Sequence, residues 1–324
     1  MKKYLYFMSF ALMLFCFASC SCDDIATLAT VDNNELSIDN PNKKAFDDLK
    51  KQVEKFGEKA RMDAHNANPS TRGSIWKFFK KVINTIKADC LIGMIVSDIT
   101  HDYYSAAVGG IVGSVAYYVI TKGEMSIMLA PALSGYVPTN PDSISREEVL
   151  SNLVFSINGN PTSFIDSVGY IHNAAILDMY DSNPQLFTRE SLFQREFVDS
   201  INVSIQKVLS YNPSTAIPEE LSDSVRNVFD NYMSFITEND SIDAYTDSIC
   251  NTNEVVAEEW EIAEAFMETL SDLKSNSTTQ IIFTRQVLEA IDESSLPNQI
   301  KATLTIGVLI ANASDRLWNS RLLQ

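Results

Sequence analysis

The sequence predicts an all-α protein, an irregular multi-helix bundle that follows a signal peptide and a flexible tether. Two observations lead to this fold class. Apolar residues recur at spacings of three and four along most of the chain, which is the period of an amphipathic helix. No segment shows the sustained apolar–polar alternation that is typical of a half-buried strand. The length of 324 residues allows one large domain or two modest ones.

Residues 1–19 have the three parts of a lipoprotein signal peptide. Two lysines follow the initiating methionine, and residues 4–17 are uncharged, mostly apolar and too short to span a bilayer comfortably. Residues 17–20, Phe-Ala-Ser-Cys, then resemble a lipobox, so Cys20 is the predicted lipid attachment site. Two or more acyl chains there give stable anchoring, because each buried methylene contributes about 0.8 kcal/mol. Cys22 is the weaker alternative, since Ser19 would then occupy the apolar lipobox position.

Residues 20–41 are polar and rich in Asp and Asn, which predicts a lipid-anchored flexible tether. The pair Asp23 and Asp24 resembles the export signal of Bacteroidetes-type surface lipoproteins. That resemblance implies an outer-membrane lipoprotein exposed at the cell surface. A periplasm-facing attachment is the alternative.

The chain is acidic, with 42 Asp and Glu against 25 Lys and Arg and a net charge of -17. This charge argues against a nucleic-acid partner, because phosphate contacts require clustered basic residues. The predicted partners are the membrane, through Cys20, and a protein or an extracellular ligand. Beyond the lipobox region only Cys90 and Cys250 remain; two separately buried thiols are favoured over a disulfide.

A connection rich in Pro and Gly at residues 123–143 divides the body into an N-terminal helical region, 42–138, and a C-terminal helical bundle, 139–324. An uncharged run at 302–314 predicts a helix at the centre of the bundle. The other apolar stripes that predict helices lie at 46–60, 75–90, 164–179, 193–208, 221–236 and 256–270.

The segment 103–121 is uncharged and rich in glycine. Ser105, Gly109 and Gly113 are spaced by four, so they share a helix face against which another helix can pack closely. We interpret the segment as a close-packed helix inside the body. The alternative is a membrane-active protein that uses this segment together with the basic amphipathic helix 75–90.

Three short motifs occur in the chain: the glycine-rich run of 103–121 preceded by residues 87–90 (Lys-Ala-Asp-Cys), residues 166–173 (ending Val-Gly-Tyr-Ile-His-Asn) and residues 311–319 (ending Trp-Asn). Together they resemble a group of helical Bacteroidetes lipoproteins that carry a mid-chain Val-Gly-x-x-His-Asn segment and end near Trp-Asn. The resemblance covers most of the body and implies no activity. It does single out His172 and Asn173 as residues to test.

His172 has two interpretations. In the first it is a general base or a ligand. In the second, which is favoured, it is a half-buried histidine that forms a hydrogen bond with a neighbouring helix. Asp98, His101 and Asp102 can share a helix face and present donors to a divalent metal. No second histidine lies at ligand spacing, so we predict neither a metal site nor a cofactor. The acidic residues of 258–268 predict a solvated helix face.

The sequence contains no Gly-x-Ser-x-Gly elbow, no phosphate-binding glycine loop, no His-Glu-x-x-His and no Cys-x-x-Cys pair. No catalytic residue is therefore assigned. The favoured function is a non-catalytic binding or scaffold protein at the cell envelope. The membrane-active protein is the second hypothesis, and a hydrolase that uses His172 or His101 with nearby carboxylates is the third.

Overall fold

The structure is a computed structural model that describes residues 42–67, 76–122, 145–155, 165–209, 222–275 and 277–320. These residues form α-helices and two 3₁₀ turns, without a strand, which confirms the all-α fold class. The signal peptide, Cys20 and the tether lie outside the described residues. The helices are α1 Lys43–Ala67, α2 Trp76–Thr100, α3 Tyr103–Lys122, α4 Arg146–Leu150, α5 Val168–Ser182, α6 Arg189–Leu192, α7 Arg195–Leu209, α8 Asp223–Asn239, α9 Ile242–Cys250, α10 Glu254–Asp272, α11 Thr278–Glu293 and α12 Asn298–Asn319.

Polar residues fix the starts of many helices. Ser145 and Glu148 form a capping box at α4, in which each side chain accepts a hydrogen bond from the backbone N–H of the other residue. Such caps stabilise a helix by about 1 kcal/mol each because they satisfy N–H groups that have no partner within the helix. The other side-chain caps are Asp102, Thr188, Ser222, Ser241, Asn253 and Ser277.

Helix α12 lies at the centre of the bundle. Every residue from 303 to 318 is buried, so the helix is enclosed on all sides rather than along one stripe. Helices α2, α5, α10 and α11 pack around it. This is the position that the uncharged run at 302–314 predicts.

Helices α2 and α3 approach so closely that glycine is required at their contact. A Cβ atom on Gly113 would lie 2.4 Å from the carbonyl oxygen of Ala88, and one on Gly109 would lie 3.0 Å from the carbonyl oxygen of Ile92. These atoms belong to the backbone of α2, which cannot turn aside as a side chain can. Ser105, on the same face, is also buried.

Helix α3 is the one helix among the described residues that is long and apolar enough to cross a membrane, with a mean hydropathy of 1.3 over Tyr103–Thr121. In the structure, however, 83% of that stretch is buried inside the body. The basic helix of the same hypothesis corresponds to α2, whose Lys87 forms ion pairs with Asp243 and Glu264. The side chains of residues 76–81 are outside the described part.

Helix α1 runs parallel to α10 and is joined to it by ion pairs along its length. Lys43 contacts Glu258 at 2.8 Å, and Lys50 contacts Glu261 at 2.7 Å. The acidic residues on this face of α10 thus form ion pairs with lysines of the chain, in addition to facing solvent as predicted. The predicted division at residue 138 falls on residues that are not described, and one apolar core contains residues of both predicted regions.

Two details concern particular residues. The stripe predicted over 193–208 is wrong at its first residue, because α6 ends at Leu192, α7 begins at Arg195, and Phe193 in the turn between them is 53% exposed. Cys90 and Cys250 are both free thiols, as favoured from the sequence, but Cys250 is half-buried and not fully buried. The Cys90 thiol is buried and lies 3.5 Å from the carbonyl oxygen of Gly307 on α12.

Candidate functional site

The three motifs of the family resemblance meet in the interior of the bundle. Asp89 lies on α2, His172 and Asn173 lie on α5, and Ser314 and Trp318 lie on α12. Each of these five side chains is joined to another by a hydrogen bond, and none has more than 1% of its surface exposed. We call this group the Asp89 network.

The Asp89 carboxylate is the centre of the network. Its Oδ1 atom lies 3.0 Å from Nε2 of His172, while its Oδ2 atom accepts hydrogen bonds from the Ser314 hydroxyl and, at 3.4 Å, from Nε1 of Trp318. One side chain of α2 is therefore tied to both α5 and α12. A buried carboxylate needs such partners, because its removal from water is costly without them.

The neighbours of His172 determine its protonation state. The Asn173 amide nitrogen donates to the carbonyl oxygen of Ala313 at 2.9 Å, which directs the amide oxygen to Nδ1 of His172, also at 2.9 Å. Nδ1 thus faces an oxygen that can only accept, and Nε2 faces a carboxylate. Opposite these two acceptors both ring nitrogens donate when the ring is an imidazolium, which is the state that an ionised Asp89 stabilises. Burial lowers the pKa of His172, but the charge of Asp89 and the hydrogen bonds of Asp89 and Asn173 together outweigh burial and raise the pKa above 6.5.

This ion pair predicts how stability depends on pH. Because the folded-state pKa of His172 is above its ordinary value of 6.5, the contribution of the ring is complete below pH 6.5 and is lost as pH rises through the folded-state pKa. Over that range the free energy of unfolding should fall with pH, by at most about 1.4 kcal/mol per pH unit, which is the limit for one proton. Urea unfolding at a series of pH values measures this slope.

His172→Gln provides the comparison for the slope, because glutamine can still donate one hydrogen bond to Asp89 but does not titrate. Asp315 and Glu259 also have raised pKa values, so their slopes occur in both proteins and cancel in the difference. Parallel curves for the wild type and the variant above pH 6.5 would contradict a charged His172 in the folded protein.

The network leaves His172 without the means to act as a general base. Both ring nitrogens are engaged in hydrogen bonds, Nδ1 with Asn173 and Nε2 with Asp89, and the ring is fully buried. A Cβ atom on Gly110 would lie 3.3 Å from Cδ2 of the ring, so α3 closes over it directly. The histidine is thus buried more completely than the half-buried position that the sequence favoured.

The triad Asp98, His101 and Asp102 does not converge on one point. Asp102 lies just before α3 and accepts from the N–H of Ser105 at 2.8 Å and from its hydroxyl at 2.6 Å. His101 is exposed and has φ of 52° in the turn between α2 and α3. Asp98 accepts from Thr303 on α12 at 2.9 Å. Within the described ranges, no group of three or more His, Cys, Asp or Glu side chains could hold a metal ion.

A second buried polar group lies further along α12. The Asp315 carboxylate accepts from Ser275 at 2.7 Å, Gln280 at 2.7 Å and Asn319 at 2.7 Å, and its pKa is raised to about 6 by burial, which these bonds oppose. Arg316 is also buried and donates from Nη1 to the carbonyl oxygen of Ser151. Burial lowers the pKa of Arg316 to about 10. This group ties α12 to the start of α11 and the end of α4.

Sequence reasoning did not assign Asp89 and Ser314 to the site of His172, although both lie in the motifs. The available signal was a charged residue, Asp89, on the apolar side of a helix whose neighbours Ala88 and Cys90 are also buried. Glu259 was missed as well. It lies three residues after Val256 and four before Ala263, and so falls on the apolar stripe of α10.

An open cleft of about 380 Å³ lies between α2, α9 and α10. Its lining is acidic, with Asp243, Asp247, Glu261 and Glu264 beside Lys87 and Trp260. Three of these acids already form ion pairs with lysines of the chain. Two lysines, Lys50 and Lys87, therefore balance half of the charge of the four acids.

No family model, curated protein or solved structure matches this chain. The resemblance to helical Bacteroidetes lipoproteins therefore stays a prediction. What the structure adds is that its three motifs contribute to one buried network.

Proposed function

We propose that this protein is a lipid-anchored, non-catalytic binding or scaffold protein of the cell envelope. The observation that best supports this proposal is the Asp89 network, in which the side chains with the strongest chemistry, Asp89 and His172, are sealed in the core and bonded to each other. In this role they stabilise the arrangement of α2, α5 and α12. The proposed binding function is then assigned to the surface of the body.

The proposed cellular location is inferred from the lipobox and from the acidic residues that follow it. Cys20 carries the lipid, residues 20–41 hold the body away from the membrane, and Asp23 and Asp24 direct it to the cell surface. The net charge of -17 keeps the body soluble beside the membrane and favours partners other than nucleic acid.

Changing the lipid attachment site tests the anchor. Cys20→Ala should shift the protein from the membrane fraction to the soluble fraction and abolish labelling by radioactive palmitate. Cys22→Ala is the matched control and should behave like the wild type. If the two variants behave in the opposite way, lipid is attached at Cys22. If both stay in the membrane fraction without palmitate label, the lipoprotein proposal is wrong.

Protease treatment of intact cells tests the cell-surface position. The body should be lost from intact cells at the same protease concentration that degrades it in lysed cells. Protection until lysis would contradict surface exposure and favour the periplasm-facing alternative.

A further inference from the structure

Glu259 is buried within α10 beside one other carboxyl group. Its side chain has 0% of its surface exposed, and neither carboxyl oxygen makes a hydrogen bond of regular geometry in the described part of the chain; the group that acts on it is the carboxyl of Asp98. Its neighbours on the helix differ, because Glu258 and Glu261 form ion pairs with lysines at the surface. A buried carboxyl group without a partner is costly, so its presence in the core calls for a compensating group.

The surroundings of Glu259 supply further oxygen atoms from two other helices. Asp98 on α2 lies close enough for its charge to act on Glu259, and the Asp98 carboxylate accepts from Thr303 of α12 at 2.9 Å. The Thr303 hydroxyl in turn lies 3.2 Å from that of Ser97. Two carboxyl groups and two hydroxyl groups therefore meet where α2, α10 and α12 pack together.

The end of α2 adds to the negative potential at this position. Asp98 lies in the last turn of α2, which ends at Thr100. The last carbonyl groups of a helix lack partners within it, and they form the negative end of its dipole. Burial raises the pKa of Asp98, and the hydrogen bonds of Thr303 and Glu259 and the charge of the exposed His101 oppose this effect. Burial and, after it, Asp98 raise the pKa of Glu259 well above its usual range.

We propose that Asp98 and Glu259, with the hydroxyls of Ser97 and Thr303, form a binding site for a Ca²⁺ ion. The ion replaces the proton that two adjacent buried carboxyl groups would otherwise share, and it gives both oxygens of Glu259 a partner. Because all the donors are oxygen atoms, the site favours hard cations over zinc or copper.

The site also differs from the triad considered in the sequence. It keeps Asp98, replaces the exposed His101 and the capping Asp102 with Glu259, and joins three helices instead of one helix end. With two carboxylates it matches the weaker calcium sites of extracellular modules, whose dissociation constants are about 10⁻⁴–10⁻³ M.

Thermal unfolding with and without CaCl₂ tests the proposal, with NaCl of equal ionic strength as the reference. At a free Ca²⁺ concentration well above the dissociation constant, the Tm of the wild type should rise by roughly 5 °C. Glu259→Gln should fold and lose this shift, since glutamine keeps the shape but not the charge. Asp98→Asn should lose it too. Glu268→Gln is the matched control, an exposed acid on the same helix, and should keep the full shift.

Titration calorimetry of the folded wild type gives a second readout that does not depend on unfolding, and it should show one bound Ca²⁺ that Glu259→Gln abolishes. If calorimetry detects no heat of Ca²⁺ binding and the Tm values in CaCl₂ and NaCl are equal, the proposal is overturned. A proton shared by the two carboxyl groups would then be the compensating group. An equal calcium shift in all four proteins would also overturn it, because it would reflect binding to the acidic surface.

Discussion

Asp89→Asn should lower the free energy of unfolding by about 3–5 kcal/mol, the range found when one partner of a buried ion pair is removed. The Asp89 carboxylate balances the charge of His172 and accepts hydrogen bonds from Ser314 and Trp318. Asparagine carries no charge, and its side-chain amide has one oxygen that can accept hydrogen bonds where the carboxylate has two. Urea unfolding followed by circular dichroism measures the loss.

Two further variants identify the source of that loss. Asp63→Asn makes the same chemical change at an exposed position of α1 and should alter stability by less than about 0.5 kcal/mol. Combining Asp89→Asn with His172→Gln should cost less than the sum of the two single changes, because the second change removes the uncompensated charge. A loss below about 1 kcal/mol for Asp89→Asn, the value of a surface ion pair, would contradict a buried charged network.

Gly113→Ala should lower the free energy of unfolding by about 3 kcal/mol, at the upper end of the usual cost of overpacking. The added Cβ atom would lie 2.4 Å from the carbonyl oxygen of Ala88 and 2.9 Å from its carbonyl carbon. Since both are backbone atoms, α2 and α3 must move apart. The gain of about 1 kcal/mol in helix propensity from glycine to alanine offsets only part of this cost.

Gly57→Ala separates the steric effect from the effect of propensity. The same substitution within α1 would bring its Cβ atom to 2.3 Å from the Thr269 hydroxyl, a side-chain atom that must give up its hydrogen bond to the carbonyl oxygen of Ala265 to move away. No backbone needs to shift there, so we expect a smaller loss than at Gly113, of about 1–2 kcal/mol. Equal losses at the two glycines, measured by urea unfolding, would contradict a backbone contact between α2 and α3.

The helical fold could be predicted from periodicity because the stripes and their caps are local features. Phe46, Leu49 and Val53 recur at helical spacing and are buried as that spacing requires. Phe193 fits the spacing equally well but is exposed, because the chain turns there before α7 begins. Periodicity reports which residues share a helix face and does not show where a helix is interrupted.

The site could be predicted only in part, because its members are far apart in the sequence. His172 and Asn173 were identified by their motif, while the partner that sets the protonation of His172 is Asp89, 83 residues away. Glu259 stands on an apolar stripe, which indicates burial. Its proximity to Asp98 depends on how α10 packs against α2, and no local pattern specifies that packing.

The protonation of His172 is the most direct test of the claim that the motifs form a buried structural network. The chain has three histidines, so ¹⁵N labelling of histidine alone gives few ring signals, and His172→Gln assigns the one in question. We predict that at pH 6.5, where a histidine of ordinary pKa is half protonated, both ring nitrogens of His172 carry protons in most molecules and that these protons exchange slowly with solvent. A neutral ring whose nitrogen signals titrate near the ordinary value of 6.5 would contradict the ion pair with Asp89 and would restore His172 as a residue available for chemistry.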